Sequence, residues 1–147
     1  MAKVGIVTDS IACLPPEILE KYDIRVVPVA LNINGKPYRD GIDIKYDEFW
    51  KIFPEIKEFT TGAPALSEYT DLYSELLKTC DSVVGAFVSF GLSAIGEAAV
   101  QAGDSPRVSV GGAGRGLGNP GEDADFVVPA VIAQRCPTEG VWIGSPE

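Results

Sequence analysis

The chain has 147 residues, 46% hydrophobic and 22% charged, which is ordinary for one globular domain with a real core. Its 21 acidic against 12 basic side chains leave a net charge of -9, which argues against nucleic acid or an anionic membrane as a general partner. There is no histidine, so neither a Ser-His-Asp nor a Cys-His enzyme can be assembled from this chain alone.

Residues 3–8 (KVGIVT) read as a buried strand, closed by the short polar pair Asp9 and Ser10. Pro15 or Pro16 suits the first turn of a helix, Glu17 suits its dipole, and Ile18, Leu19 and Tyr22 give it an apolar stripe. A second strand is expected over residues 24–31, with Pro28 at an edge or bulge. Asn34-Gly35 is a two-residue hairpin signal leading into a short return over residues 36–40. Arg39 and Asp40 then sit in what reads as a solvated loop. Asp43, Asp47 and Glu48 lack any metal-loop spacing.

A second helix opens near Asp47. Its Tyr46, Phe49, Trp50 and Phe53 recur at i, i+3, i+4 and i+7, a stripe expected to face the core, and Pro54 ends it. Residues 60–64 (TTGAP) read as a small-residue loop. Ser67 is expected to cap a third helix carrying Tyr69, Leu72, Tyr73, Leu76 and Leu77 on one face. The stretch 82–102 (SVVGAFVSFGLSAIGEAAVQA) organises the rest. A strand buried on both faces runs over residues 83–89 and breaks at Ser89-Phe90-Gly91-Leu92. Ser93 takes the N-cap position of a helix with Ile95, Ala98, Ala99 and Ala102 at helical spacing. Such a strand–turn–helix junction is a ready anion site, because first-turn amides lack partners and the dipole is positive there. Ser93 can cap its own helix, hold a ligand anion, or do both in turn.

From Gly103 the character changes. All seven lysines lie at or before Lys78, whereas nine of the sixteen glycines follow residue 102. A fourth strand fits residues 107–110 and another segment fits residues 127–132, interrupted by Pro129. The run from Gly111 to Gly118 invites a phosphate-loop reading. It lacks the Gly-Lys-Ser/Thr ending and the G-x-G-x-x-G spacing. The three cysteines, Cys13, Cys80 and Cys136, are odd in number, lack CxxC spacing and read as buried thiols rather than disulfides or zinc ligands. No apolar run reaches membrane-spanning length and no signal peptide is evident, so a cytoplasmic location without membrane insertion is expected. The fold expected is α/β in three layers, a mainly parallel sheet with helices on both faces. Its core would draw on Val4, Ile6, Ile18, Val27, Leu72, Leu76, Val84, Phe87 and Ile95.

Three stretches together resemble the amino-terminal half of the DegV family of bacterial fatty-acid-binding proteins. They are VGIVTDSIACLPPEILEKYDIRVVPVALNINGKPYRDGIDI, FTTGAP and VSFGLSAIGEAAVQA. The resemblance implies a binding protein and not an enzyme, with no catalytic residues, no metal and no cofactor. It implies that a long-chain fatty acid is held with its carboxyl at Thr61, at Ser93 and at the Ala94 amide and is presented to a separate fatty acid kinase. Arg39 and Asp40 would be available to that partner. Apart from the resemblance, Asp9 and Ser10 stand at the carboxyl edge where open α/β sheets bind ligands, or are plain turn residues, and with Ser89 are secondary candidates. Where the family usually has Thr-Ser-Gln-Pro this chain has Thr61-Gly62-Ala63-Pro64, and Phe90, Ala94 and Ile95 replace small or polar residues. Residues 1–102 form the family-like domain on this reading, and residues 103–147 a Gly/Pro-rich divergent tail, as from a frame change or a fused segment, adding one or two strands. On this reading the chain is expected to lack the family's second domain and the histidine it contributes, with binding impaired or recovered by self-association. The alternative is a phosphate- or nucleotide-binding α/β domain using the helix start at Ser93 and the glycine run from Gly111 to Gly118.

Overall fold

The computed structural model describes residues 2–112. Expectations that fall on later residues lie outside them: Cys136, the segment at 127–132 and the glycine run past Gly112. Strand β1 (Val4–Asp9) is followed by a 3-10 turn (Ser10–Ala12), helix α1 (Pro16–Tyr22) and strand β2 (Ile24–Val27). Pro16 stands in the first turn of α1, and Asp23 ends it in the left-handed region at φ 50°. Next come β3 (Ala30–Ile33) and β4 (Lys36–Arg39), then α2 (Tyr46–Ile52) with a 3-10 turn at Phe53–Glu55. The described residues end with β5 (Phe59–Gly62), α3 (Leu66–Leu76), β6 (Ser82–Phe87), α4 (Ile95–Ala102) and β7 (Val108–Gly112).

Two sheets result. One is parallel, in the order β2-β1-β6-β7, and the other is antiparallel, in the order β4-β3-β5. The chain is therefore α/β with a parallel sheet and helices, as expected. The single second strand was not: it splits at Pro28-Val29 into β2 and β3, which belong to different sheets. Pro28 has no N–H to donate to a ladder, and the Val29 amide donates to Ser10 Oγ at 3.1 Å instead. Residues 60–62, expected in a loop, are part of β5, which pairs with β3 from Ile33–Phe59 to Ala30–Gly62. The Asn34-Gly35 hairpin forms as read. Both residues take positive φ, 52° and 80°, which suits Asn and Gly.

The core is built from both faces of the parallel sheet and one face of α3 and α4. Val7, Val27, Val83, Phe87, Tyr69, Ile95 and Ala99 are essentially sealed. Of the expected core, Val4, Val27, Leu76, Val84, Phe87 and Ile95 are buried, while Ile6, Ile18 and Leu72 are only half-buried. Of the α2 stripe only Phe49 packs against the core. Tyr46 is 75% exposed and Trp50 49%; the Tyr46 ring meets Trp50, and Trp50 meets Phe49 and Phe53, at centroid distances of 5.0–5.9 Å. Cys13, expected to be buried, is exposed in the left-handed conformation that ends the 3-10 turn, whereas Cys80 is buried. Ser67 lies inside α3, whose N-cap is Ala65. Arg39 pairs with Asp43, not Asp40, through two contacts of 3.0 Å, and that pairing holds the Asp43 carboxyl below the usual carboxylate range.

Tyr69 and Tyr73 donate their hydroxyls to the carbonyls of Ile95 and Ala99, at 3.1 and 3.4 Å. Burial pushes both phenols well above their ordinary value near 10. The folded state then keeps its phenolic protons at a pH where the unfolded chain loses them. Stability from these groups is full below about pH 10 and falls as pH rises beyond it. Urea denaturation between neutral pH and about pH 11 should show that fall, and Tyr69→Phe should reduce it while costing about 1 kcal/mol at neutral pH through the lost hydrogen bond to the Ile95 carbonyl.

Candidate functional site

The order β2-β1-β6-β7 places β2 on one side of β1 and β7 on the other side of β6. The crossover through α1 therefore runs one way across the sheet and that through α4 the other. With right-handed connections the two helices lie on opposite faces, and a crevice opens where they diverge, at the carboxyl ends of β1 and β6. Asp9, Ser10, Ser89 and the loop to Ser93 all lie at this edge because β1 and β6 end there.

Two hydrogen bonds close the base of the crevice. Thr8 Oγ1 donates to the Ala86 carbonyl at 2.8 Å, and Asp9 Oδ2 accepts from the Val88 amide at 2.7 Å. Asp9 is only 2% exposed, so its carboxylate straps β1 to the chain leaving β6. Ser10 Oγ is engaged by the Val29 amide. Ser89 is buried, and its carbonyl accepts from Leu92 and Ser93 amides at 2.9 and 3.2 Å, closing a tight turn.

Helix α4 begins at Ile95 with Ala94 as N-cap residue, one position later than the expected cap at Ser93. Ser93 still reaches the helix, its Oγ accepting from the Ile95 amide at 3.3 Å. That bond uses a lone pair and leaves the hydroxyl proton to donate. Ser93 is half-buried and Ala94 exposed, and the Ala94 amide makes no hydrogen bond among the described residues. Two donors of the kind that recognise an anion thus stand on adjacent residues at the positive end of a helix.

Thr61 lies on β5, exposed, in register with Leu31. Its relation to Ser93 follows from the helices. Tyr69 meets Ile95 and Tyr73 meets Ala99, four residues further along each helix, so α3 and α4 run parallel with their N-termini at the same end. From Thr61 to Ala65, the N-cap of α3, is four residues, a reach of at most about 14 Å. Thr61 thus lies no more than that distance from the start of α3, whose N-terminus is at the same end as Ser93. In the turn before Ser93, Phe90 is 40% exposed and Leu92 74%. A separate open cleft of about 260 Å³ lies between β2 and α3, lined by Val26, Val27, Ile42 and Leu72 but also by Glu68, Asp71 and Glu75. Those carboxylates make it a poor place for an anion. Among the described residues no acidic or cysteine cluster could hold a metal ion, and no helix is long and apolar enough to cross a membrane.

The family model described as "Uncharacterised protein, DegV family" matches residues 3–110. The chain belongs to the DegV family. A DegV domain-containing protein of Caldanaerobacter subterraneus is 39% identical over 104 residues, 71% of this chain and 37% of that protein. One of Staphylococcus aureus is 37% identical over 102 residues, 69% and 37% of the two chains. Among solved structures, a DegV family protein from Thermus thermophilus, described by its fatty acid binding, is similar with a TM-score of 0.67 at 31% identity, over 75% of this chain and 40% of that one. A stearic acid-binding protein of Eubacterium ventriosum gives a TM-score of 0.61 at 31% identity, over 69% and 35%. The chain spans about two fifths of the length of these DegV relatives.

Sequence reasoning missed the role of Tyr69 and Tyr73. Their helical spacing marked an apolar stripe, but nothing in it showed that both hydroxyls would seek α4 carbonyls. The Asp9 strap is open to a direct check. Asp9→Ala leaves the Val88 amide without its acceptor, and should cost about 1–3 kcal/mol in urea denaturation. Amide hydrogen exchange at Val88 should quicken by more than that at Val7 in the middle of β1.

Proposed function

We propose that this chain is a lipid-binding module that takes a long-chain fatty acid, with the carboxylate at the Ser93 hydroxyl, the Ala94 amide and the Thr61 hydroxyl. The observation that carries this reading is the pair of uncommitted donors on Ser93 and Ala94 at the switch-point end of α4. Two neighbouring donors match the two oxygens of a carboxylate, and the helix dipole adds to them. The fatty-acid-binding relatives from Thermus thermophilus and Eubacterium ventriosum support the choice of acyl ligand.

In this role the protein holds and presents a ligand and performs no chemistry on it. The acyl carboxylate is offered to a separate fatty acid kinase, and exposed Arg39 and half-buried Asp40 lie on the surface open to that partner. Asp9, Ser10 and Ser89 support the site through the backbone. The tail runs along the apolar surface that begins at Phe90 and Leu92. The residues described here form one wall of that path, and self-association offers a second.

Isothermal titration with saturated acids of roughly twelve to eighteen carbons tests the proposal, since each buried CH₂ contributes up to about 0.8 kcal/mol. Affinity should climb with chain length. Ser93→Ala should weaken every member of the series by about tenfold, and Thr61→Val should weaken it in the same uniform way, because both act on the head and not the tail. Intact folding with no binding of any acid in the series would overturn the reading.

A further inference from the structure

Phe90 lies in the turn between β6 and α4, which is pinned by the Leu92 and Ser93 amides on the Ser89 carbonyl. Its ring rests on the first turn of α4. A Cβ added to Gly96 would collide with Cδ1 and Cε1 of Phe90 and lie 3.2 Å from Cζ. The ring therefore fills the direction in which a side chain at 96 would leave the helix. On an α-helix that direction tilts towards the N-terminus, so what lies along it covers the preceding turn. Here the preceding turn holds Ser93 and Ala94. The ring is 40% exposed, so it is a side wall with one face on the helix and another open to whatever enters.

We infer that Phe90 is a headgroup-selectivity residue, whose ring admits a flat carboxylate to the Ser93 and Ala94 donors and bars a tetrahedral phosphate. Fatty acid as the ligand rests on the function proposed above; the ring's position does not. Phosphate sites at helix N-termini use several first-turn amides at once and need the backbone there uncovered. With an aromatic ring over Gly96, a third or fourth oxygen has no room on that side. A carboxylate needs only two donors in its own plane, and the first methylenes behind it meet the apolar ring.

The test follows the Ala94 and Gly96 amide signals by NMR in the whole chain, using palmitate and inorganic phosphate as probes. In the natural protein palmitate should shift these signals and phosphate should not. In Phe90→Ala phosphate should shift them, with an affinity at least about tenfold above that of the natural protein, while palmitate binds more weakly because its first methylenes lose the ring. Phosphate reaching the two amides equally well with and without the ring overturns the inference. Palmitate binding together with continued exclusion of phosphate in Phe90→Ala also overturns it and leaves the fatty-acid reading standing. No palmitate binding with phosphate gained in Phe90→Ala does the reverse. Should Phe90→Ala fail to fold, Phe90→Val takes its place with the same outcomes, since valine removes the ring while keeping a small apolar side chain. Melting temperatures give a second readout: Gly96→Ala should lower the melting point of the natural protein by more than that of Phe90→Ala. Equal decrements would mean that the ring does not rest on Gly96.

Discussion

Two tyrosine hydroxyls set the geometry on which the carboxyl edge of this sheet depends. Tyr69 and Tyr73 reach across from α3 to backbone carbonyls one helical turn apart on α4. A side chain that spans between helices and ends on a backbone group fixes depth, rotation and register together. Packing alone would allow a sliding fit between smooth apolar faces. Tyr69 also packs its ring edge against Phe87 at a centroid distance of 5.8 Å, which ties the helix pair to the end of β6. Because both contacts are buried, slipping α4 by one residue would strand the two hydroxyls. The start of α4, with Ser93 and Ala94, is thereby held at one height above the sheet.

The strands contribute the complementary constraint. Asp9 and Thr8 tie the end of β1 to the end of β6, and Ser10 ties the same turn to the Pro28 break. Three short polar side chains on consecutive residues thus hold three segments at the switch point. This explains how an Asp can be nearly sealed in an otherwise apolar sheet, since its oxygen accepts from an amide that the parallel ladder leaves unused. Arg107 performs a related service at the opposite end. Its guanidinium donates to the carbonyls of Leu77, Cys80 and Asp81, closing the exit of α3 before β6 begins.

What was legible in the sequence follows the physics of each segment. β1 and the strand that became β6 were plain because continuous β-branched and apolar runs have few other fates in a soluble chain. The hairpin was plain because Asn34-Gly35 specifies its own dihedrals. The split at Pro28 was half legible. Proline announced a disturbance, but moving β3 into another sheet depends on a partner amide bond to Ser10, nineteen residues away. Strand β5 was hidden because Thr60-Thr61-Gly62 has loop composition and is a strand only by pairing with β3. The α2 rings misled because period alone cannot tell a stripe that meets the core from one whose rings meet each other. Ser93 was singled out by its place after a strand, but the capping position moved one residue because a serine oxygen can serve the Ile95 amide from outside the helix.

On the proposed function, head and tail would divide the work unequally. Donors on Ser93 and Ala94 would replace water that a carboxylate holds anyway, for a net contribution on the order of 1–3 kcal/mol. Methylenes have no such competition, and a dozen of them buried on all sides outweigh the head several-fold at about 0.8 kcal/mol each. Affinity is therefore governed by how completely the tail is enclosed, and discrimination between head groups by the few atoms around α4. Lying on an open wall, a tail loses roughly half its contact with water, which cuts the apolar contribution by a similar share. An exposed Leu92 beside a pinned turn is then the costly feature of this chain on its own. The α2 rings already shield one another, whereas the Leu92 side chain is left mostly to solvent. Enclosure from outside, by a ligand and a second wall together, would act first where that exposure is greatest, and it would do so without moving the donors that α3 holds in place.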